Sequence, residues 1–79
     1  MPTKKRYPLA VNVGVRIAQI RKRKGWTQAD LGRRCGVGQK RVSEIECGIK
    51  AIGIDSLDRV AEALGVEPYV LLLPDPRRL

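Results

Sequence analysis

Apolar side chains recur along this chain at helical intervals, in short runs closed by glycine. Val13, Ile17 and Ile20 fall on one stripe of a helix predicted over 13–24, with Arg16, Lys22, Arg23 and Lys24 on its other faces. Further helices are predicted over 28–35, 39–47 and 54–64, and a fifth opens at Pro68. Gly25, Gly36, Gly48 and Gly65 each follow one of the first four, where a left-handed backbone costs glycine least. The pattern is that of an all-α fold of four to five short helices in one small domain.

The second helix has a strong start signal. Thr27 can accept from an orphan amide, Asp30 can return a bond three residues later, and Trp26 can pack over Leu31. Trp26 is thereby read as a structural residue ahead of a base-stacking one. The third helix turns Val42 and Ile45 inward, together with Val37 before it, which leaves Gln39, Lys40, Ser43 and Glu44 on the other side and Arg41 toward the flank. The fourth opens after Gly53 with Asp55 in its first turn, and buries Leu57, Val60, Ala61 and Leu64. Residues 66–73, VEPYVLLL, fit a short helix begun by Pro68 with Leu71 and Leu72 inward, or a strand at Tyr69–Leu73 paired with its twin in a dimer. The helix is the preferred form.

Charge adds a direction to this plan. The formal net charge is +8, and residues 1–50 carry thirteen Lys or Arg against three acids, whereas residues 51–79 carry three against five. A polyanion-facing half is thus joined to a neutral or slightly acidic one. The same density would suit a solubility device or a membrane-adsorbing face, and the placement of the charges decides among these. The joined second and third helices, with Gln39, Lys40 and Arg41 opening the latter, have the layout of a helix-turn-helix, which favours DNA. Glutamine can pair with adenine, lysine can donate to guanine, serine can play either part and glutamate can accept from cytosine. Glu44 repels phosphate, so it is read as a base-edge or water-mediated contact, or as an ion-pair partner that orients Lys40 or Arg41. Gln28, in the first turn of the second helix, can turn its amide toward a phosphate beside free backbone N–H groups.

Chemistry of other kinds finds little support. Histidine is absent, and Cys35 and Cys47, twelve positions apart, fall short of a zinc site or redox motif. They are read as reduced thiols at small semi-buried helix ends of a cytosolic protein. Glu44 and Glu46 point to different faces of one helix. No catalytic centre, metal or cofactor is expected. The opening MPTKKRYPLAVNV has no sustained apolar run of a secretory segment, and no stretch approaches the length of a membrane span. Residues 1–10 are assigned to a flexible basic arm, with Pro8 discouraging helix at Tyr7, residues 11–73 to the domain, and 74–79 to a short tail.

From Gly14 to Leu72 the chain resembles the Cro/C1-type helix-turn-helix family of phage repressors, bacterial regulators and antitoxins. The blocks that carry the resemblance are GVRIAQIRKRKGWTQADL, CGVG, QKRVSEIECG and LDRVAEALGVEPYVLL, in the family's order and spacing. It implies a lambda-repressor-like domain whose second and third helices form the helix-turn-helix. It implies a phosphate contact for Gln28 and base-edge contacts for Gln39, Lys40 and Ser43, with Glu44 next along the same face. It also implies a structural ion pair between Arg21 and Glu46, Arg21 touching phosphate as well. Lys24, Arg41 and Lys50 complete the expected phosphate set, Lys50 together with amides of the loop IKAIG.

The sequence departs from the family in places. Gly32 stands where alanine is usual, at a helix-propensity cost of about 0.5 to 1 kcal/mol, while permitting close packing. Gly38 replaces a serine or threonine cap, Cys47 a common asparagine and Ile52 a loop proline. The expected function is a dimeric transcriptional regulator reading an inverted repeat in double-stranded DNA, first as a repressor. An antitoxin with a toxin protein as partner is the alternative, and an interaction module without DNA binding is the third reading. Lys4, Lys5 and Arg6 are expected to sample the phosphate field or to enter an adjacent groove.

Overall fold

In a computed structural model of the protein the described residues are 8–74. They form α1 (Pro8–Arg23), α2 (Gln28–Cys35), α3 (Gln39–Glu46), α4 (Ile54–Leu64) and α5 (Pro68–Leu71). Lys4, Lys5, Arg6 and the tail beyond Pro74 lie outside the described residues. No helix among the described residues is long and apolar enough to cross a membrane.

The first helix begins five residues before the predicted start. Pro8 is its first residue, since the ring sets φ near the helical value and the missing N–H would have no partner in a first turn. Pro8, Leu9 and Ala10, assigned from sequence to the arm, therefore lie within α1. At the other end of the chain α5 is a helix with proline in its first turn. Leu71 is fully buried there, but Leu72 is 44% exposed, against the expectation that both face inward. Successive positions on a helix point about 100° apart, so one short turn can aim only one of the two at the core.

The inward residues of all five helices meet in one cluster. Val13 and Ile17 of α1, Leu31 and Cys35 of α2, Val42 and Ile45 of α3, Val60, Ala61 and Leu64 of α4 and Leu71 of α5 are buried, with Ile20, Trp26, Val37 and Leu57 packed against them. Fully burying a leucine or isoleucine contributes about 1.5 to 3 kcal/mol, which is how a four-residue α5 is held in place by Leu71. Helix α1 packs on α3 and α5, and α2 lies against both α3 and α4. The glycines predicted to end helices, Gly25, Gly36, Gly48 and Gly65, all have left-handed φ.

Two other glycines bring elements close together. A Cβ on Gly14 would stand 2.3 Å from the Ile45 carbonyl oxygen, so α1 lies directly on the end of α3. A Cβ on Gly32 would stand 2.4 Å from the Val37 carbonyl oxygen. The Val37 amide donates to the Gly32 carbonyl at 2.9 Å, so the turn between α2 and α3 folds onto the end of α2. The helix propensity lost at Gly32 accompanies this close approach.

Candidate nucleic-acid interface

Helix α2 is positioned by its first turn. The Thr27 hydroxyl accepts from the Asp30 amide at 3.0 Å, and Asp30 accepts from the Thr27 amide at 2.8 Å. That second bond is the main cause holding the Asp30 carboxyl below its usual range, with Arg33 contributing as an exposed ion-pair partner. Trp26 is half-buried against the core, and its ring carries Arg34 at 4.2 Å and Lys24 at 5.3 Å from the centroid. These cation–ring contacts occupy Trp26 as part of the scaffold.

After α2, Gly36, Val37 and Gly38 reverse the chain and α3 begins at Gln39. Gly38 has the extended backbone of an N-cap and gives no side-chain cap bond. Gln39, Lys40 and Arg41 are exposed, whereas Ser43 and Glu44 are half-buried further along. With Val42 and Ile45 each 3% exposed on the opposite side, the N-terminal end of α3 offers an amide, an ammonium and a guanidinium to solvent. The arrangement provides donors and one acceptor on a single projecting helix end, the geometry by which such a helix reads a groove.

Behind that end, Glu46 joins three elements. Its carboxylate accepts from Arg21 Nε at 2.6 Å and from Arg21 Nη2 at 3.0 Å, and Arg21 Nη1 donates to the Trp26 carbonyl at 2.7 Å. The side chains of Arg21 and Glu46 are 9% and 6% exposed. The bond to Glu46 holds the Arg21 guanidinium above its usual range against the opposing effect of burial, so it stays charged. An arginine so enclosed supports the site from behind, as the expected structural partner of Glu46. Gln28 is half-buried at the start of α2, where Nε2 donates to Glu46 Oε1 at 3.0 Å. That bond joins residues eighteen positions apart, and sequence reasoning missed it.

In the loop after α3 the Ile49 and Lys50 amides donate to the Glu44 carbonyl at 3.0 and 3.4 Å, so these two of the loop's amides are used within the fold. The Lys50 residue itself is exposed. Lys24 is exposed over Trp26, with Nζ beside Gly65 at the end of α4, which ties it to the corner between α1 and α2. Of the two thiols, Cys35 is buried and Cys47 exposed, so the semi-buried description fits neither. Burial pushes the Cys35 thiol above its ordinary range. On another side, Leu9, Val13, Ile52, Ile54, Leu57 and Leu72 line an apolar groove of about 400 Å³. Ile54 is 82% and Leu9 58% exposed beside it.

Comparison with known proteins bears on this geometry. A helix-turn-helix family model matches residues 17–71, which include all of α2, α3 and α4. The chain belongs to the Cro/C1-type helix-turn-helix family. Over 60 residues, 76% of its length, it is 42% identical to a Neisseria hypothetical transcription factor of Neisseria meningitidis serogroup B, and the match spans 57% of that relative. The crystal structure of the hypothetical transcription factor NHTF from Neisseria superposes with a TM-score of 0.82 at 32% identity, covering 99% of this chain and 92% of that one. The biofilm master regulator SinR, in a crystal structure with DNA, gives a TM-score of 0.74 at 34% identity over 77% of this chain and 98% of its own. The all-α order of helices is common to this Cro/C1-type chain and to those structures.

Proposed function

We propose that this Cro/C1-type protein is a sequence-specific transcriptional regulator that binds double-stranded DNA as a homodimer on an inverted repeat, most simply as a repressor that acts by occupancy. The observation that carries the reading is the exposed N-terminal end of α3, with Gln39, Lys40 and Arg41 projecting from a helix whose other side is buried. Gln39, Lys40, Ser43 and Glu44 read base edges in the major groove. Gln28 at the start of α2, Arg41 and Lys50 neutralise or hold phosphates, with Lys24 adding to the field from the corner behind them. The DNA complex of SinR, which shares this fold, supports the assignment. The exposed apolar groove beside Ile54 and Leu9 supports a second copy as the partner, because a monomer this small gains by covering it.

Two substitutions test the division between base reading and phosphate binding. Gln39→Ala should cost about 1 to 3 kcal/mol on the preferred duplex and relax choice at one base pair. Lys50→Ala should weaken all duplexes alike and lower the salt slope by about one. Equal losses on every duplex for Gln39→Ala would remove it from the base-reading set.

A further inference from the structure

The buried carboxylate of Glu46 sits where α1, α2 and α3 meet, and it accepts from two side chains of different kinds. Arg21 approaches through Nε at 2.6 Å and Nη2 at 3.0 Å, while Gln28 Nε2 reaches Oε1 at 3.0 Å. Glu46 and Arg21 are core-enclosed, but Gln28 is half-exposed at the start of a helix. We propose that Glu46 is a positioning residue for DNA binding: it fixes the Gln28 amide for a phosphate, while Arg21 cancels the charge that would otherwise repel that phosphate. The proposal rests on the DNA-binding reading above.

The chemistry of the acceptor explains the choice of glutamate. A primary amide can rotate to present either its N–H groups or its oxygen, and a neutral partner tolerates both. An ionised carboxylate accepts only, so it selects the amide nitrogen and turns the Gln28 side chain one way. One N–H of Nε2 is then bonded to Glu46, and the second is left for an outside acceptor beside the first amides of α2. Those amides and the helix dipole favour the same anion.

A bare carboxylate in this position would work against phosphate binding at short range. Arg21 answers that with two bonds to Glu46, and its third bond, to the Trp26 carbonyl at 2.7 Å, fixes the guanidinium against the residue just before the α2 cap. The result is a neutral, enclosed pair whose outward product is a single oriented donor. Glu46 thus affects DNA affinity without touching DNA.

A double-mutant cycle on the full chain tests this. Wild type, Glu46→Gln, Gln28→Ala and the double variant are titrated by fluorescence anisotropy with a duplex selected by the wild type, after thermal melts show each folded at the assay temperature. Each single change should weaken binding about tenfold, the scale of one hydrogen bond to a charged group. In the Gln28→Ala background, Glu46→Gln should no longer weaken binding. If Glu46→Gln melts too low, Arg21→Met combined with Glu46→Gln leaves no unpaired charge and takes its place in the cycle, with the same pattern expected. A Glu46 loss of equal size in both backgrounds would mean a purely structural role and overturn the proposal alone. Absence of duplex binding by the wild type would overturn the DNA reading and this proposal with it.

Discussion

Replacing Gly14 with alanine sets helix propensity against packing, and the two effects have opposite signs. Within an isolated helix the change stabilises by about 1 kcal/mol. Here the added carbon would lie 2.3 Å from the Ile45 carbonyl oxygen, 2.7 Å from that of Glu46 and 2.9 Å from the Glu46 carbonyl carbon. Even weakly attractive carbon–oxygen contacts sit at about 3.3 Å or more, so the end of α3 must retreat from α1 by about 1 Å. All three atoms belong to backbone, and Ile45 beside them is 3% exposed, so no flexible side chain can absorb the shift. Overpacking of this kind costs about 1 to 3 kcal/mol and sometimes more.

The retreat also pulls Glu46 from Arg21, whose Nε bond is 2.6 Å long, and complete loss of one partner of a buried pair costs about 3 to 5 kcal/mol. Partial loosening added to the clash outweighs the propensity gain, and the net expectation is a loss of about 1 to 3 kcal/mol. In a domain of this size each kcal/mol moves Tm by about 4 to 8 °C. Circular dichroism melts of Gly14→Ala should therefore fall by at least about 4 °C. An unchanged or higher Tm would refute the close approach of α1 to α3 and with it the packing argument for this glycine.

Other consequences are open to direct measurement. The Thr27 amide keeps Asp30 ionised below the usual carboxylate range, so its contribution is complete above that range and is lost as pH falls through the depressed value. The Tm gap between wild type and Asp30→Asn should accordingly shrink from neutral to acid pH, and a constant gap would contradict the capping role. Iodoacetamide should modify exposed Cys47 in the native protein and reach buried Cys35 only in denaturant, as read by mass spectrometry; equal labelling of both in native buffer would contradict the burial. Ile54→Asp places a charge on the apolar groove and should weaken self-association by about 30-fold or more, the scale of an interface hot spot. Sedimentation showing an undiminished dimer would move the interface elsewhere.

Much of this architecture was legible in sequence because its signals are local. Glycine after each periodic run marked the ends of α1 to α4, and Thr27 with Asp30 marked the start of α2 through bonds spanning three residues. Ambiguous local signals misled: Pro8 both discourages helix before it and favours helix beginning at it, and α1 followed the second. The inward pairing of Leu71 with Leu72 failed because one short turn cannot bury neighbours. Gly14 within a helical run was a usable sign of close packing, since an interior glycine otherwise only weakens a helix.

The support beneath the site was less accessible. The link from Gln28 to Glu46 depends on how α2 docks against the end of α3, which no local pattern states. The folding back of the Ile49 and Lys50 amides onto Glu44 likewise follows from the path after α3. The residues on the projecting face, Gln39 to Arg41, were legible because the buried side of the same helix, Val42 and Ile45, fixed which way they point.

The central claim, that α3 reads a DNA sequence from a dimer, is tested most directly by selecting duplexes from a random library with the purified chain. The account predicts enrichment of an inverted repeat whose half-sites lie about one helical turn, roughly 10 base pairs, apart. A folded protein that enriches no sequence would contradict it.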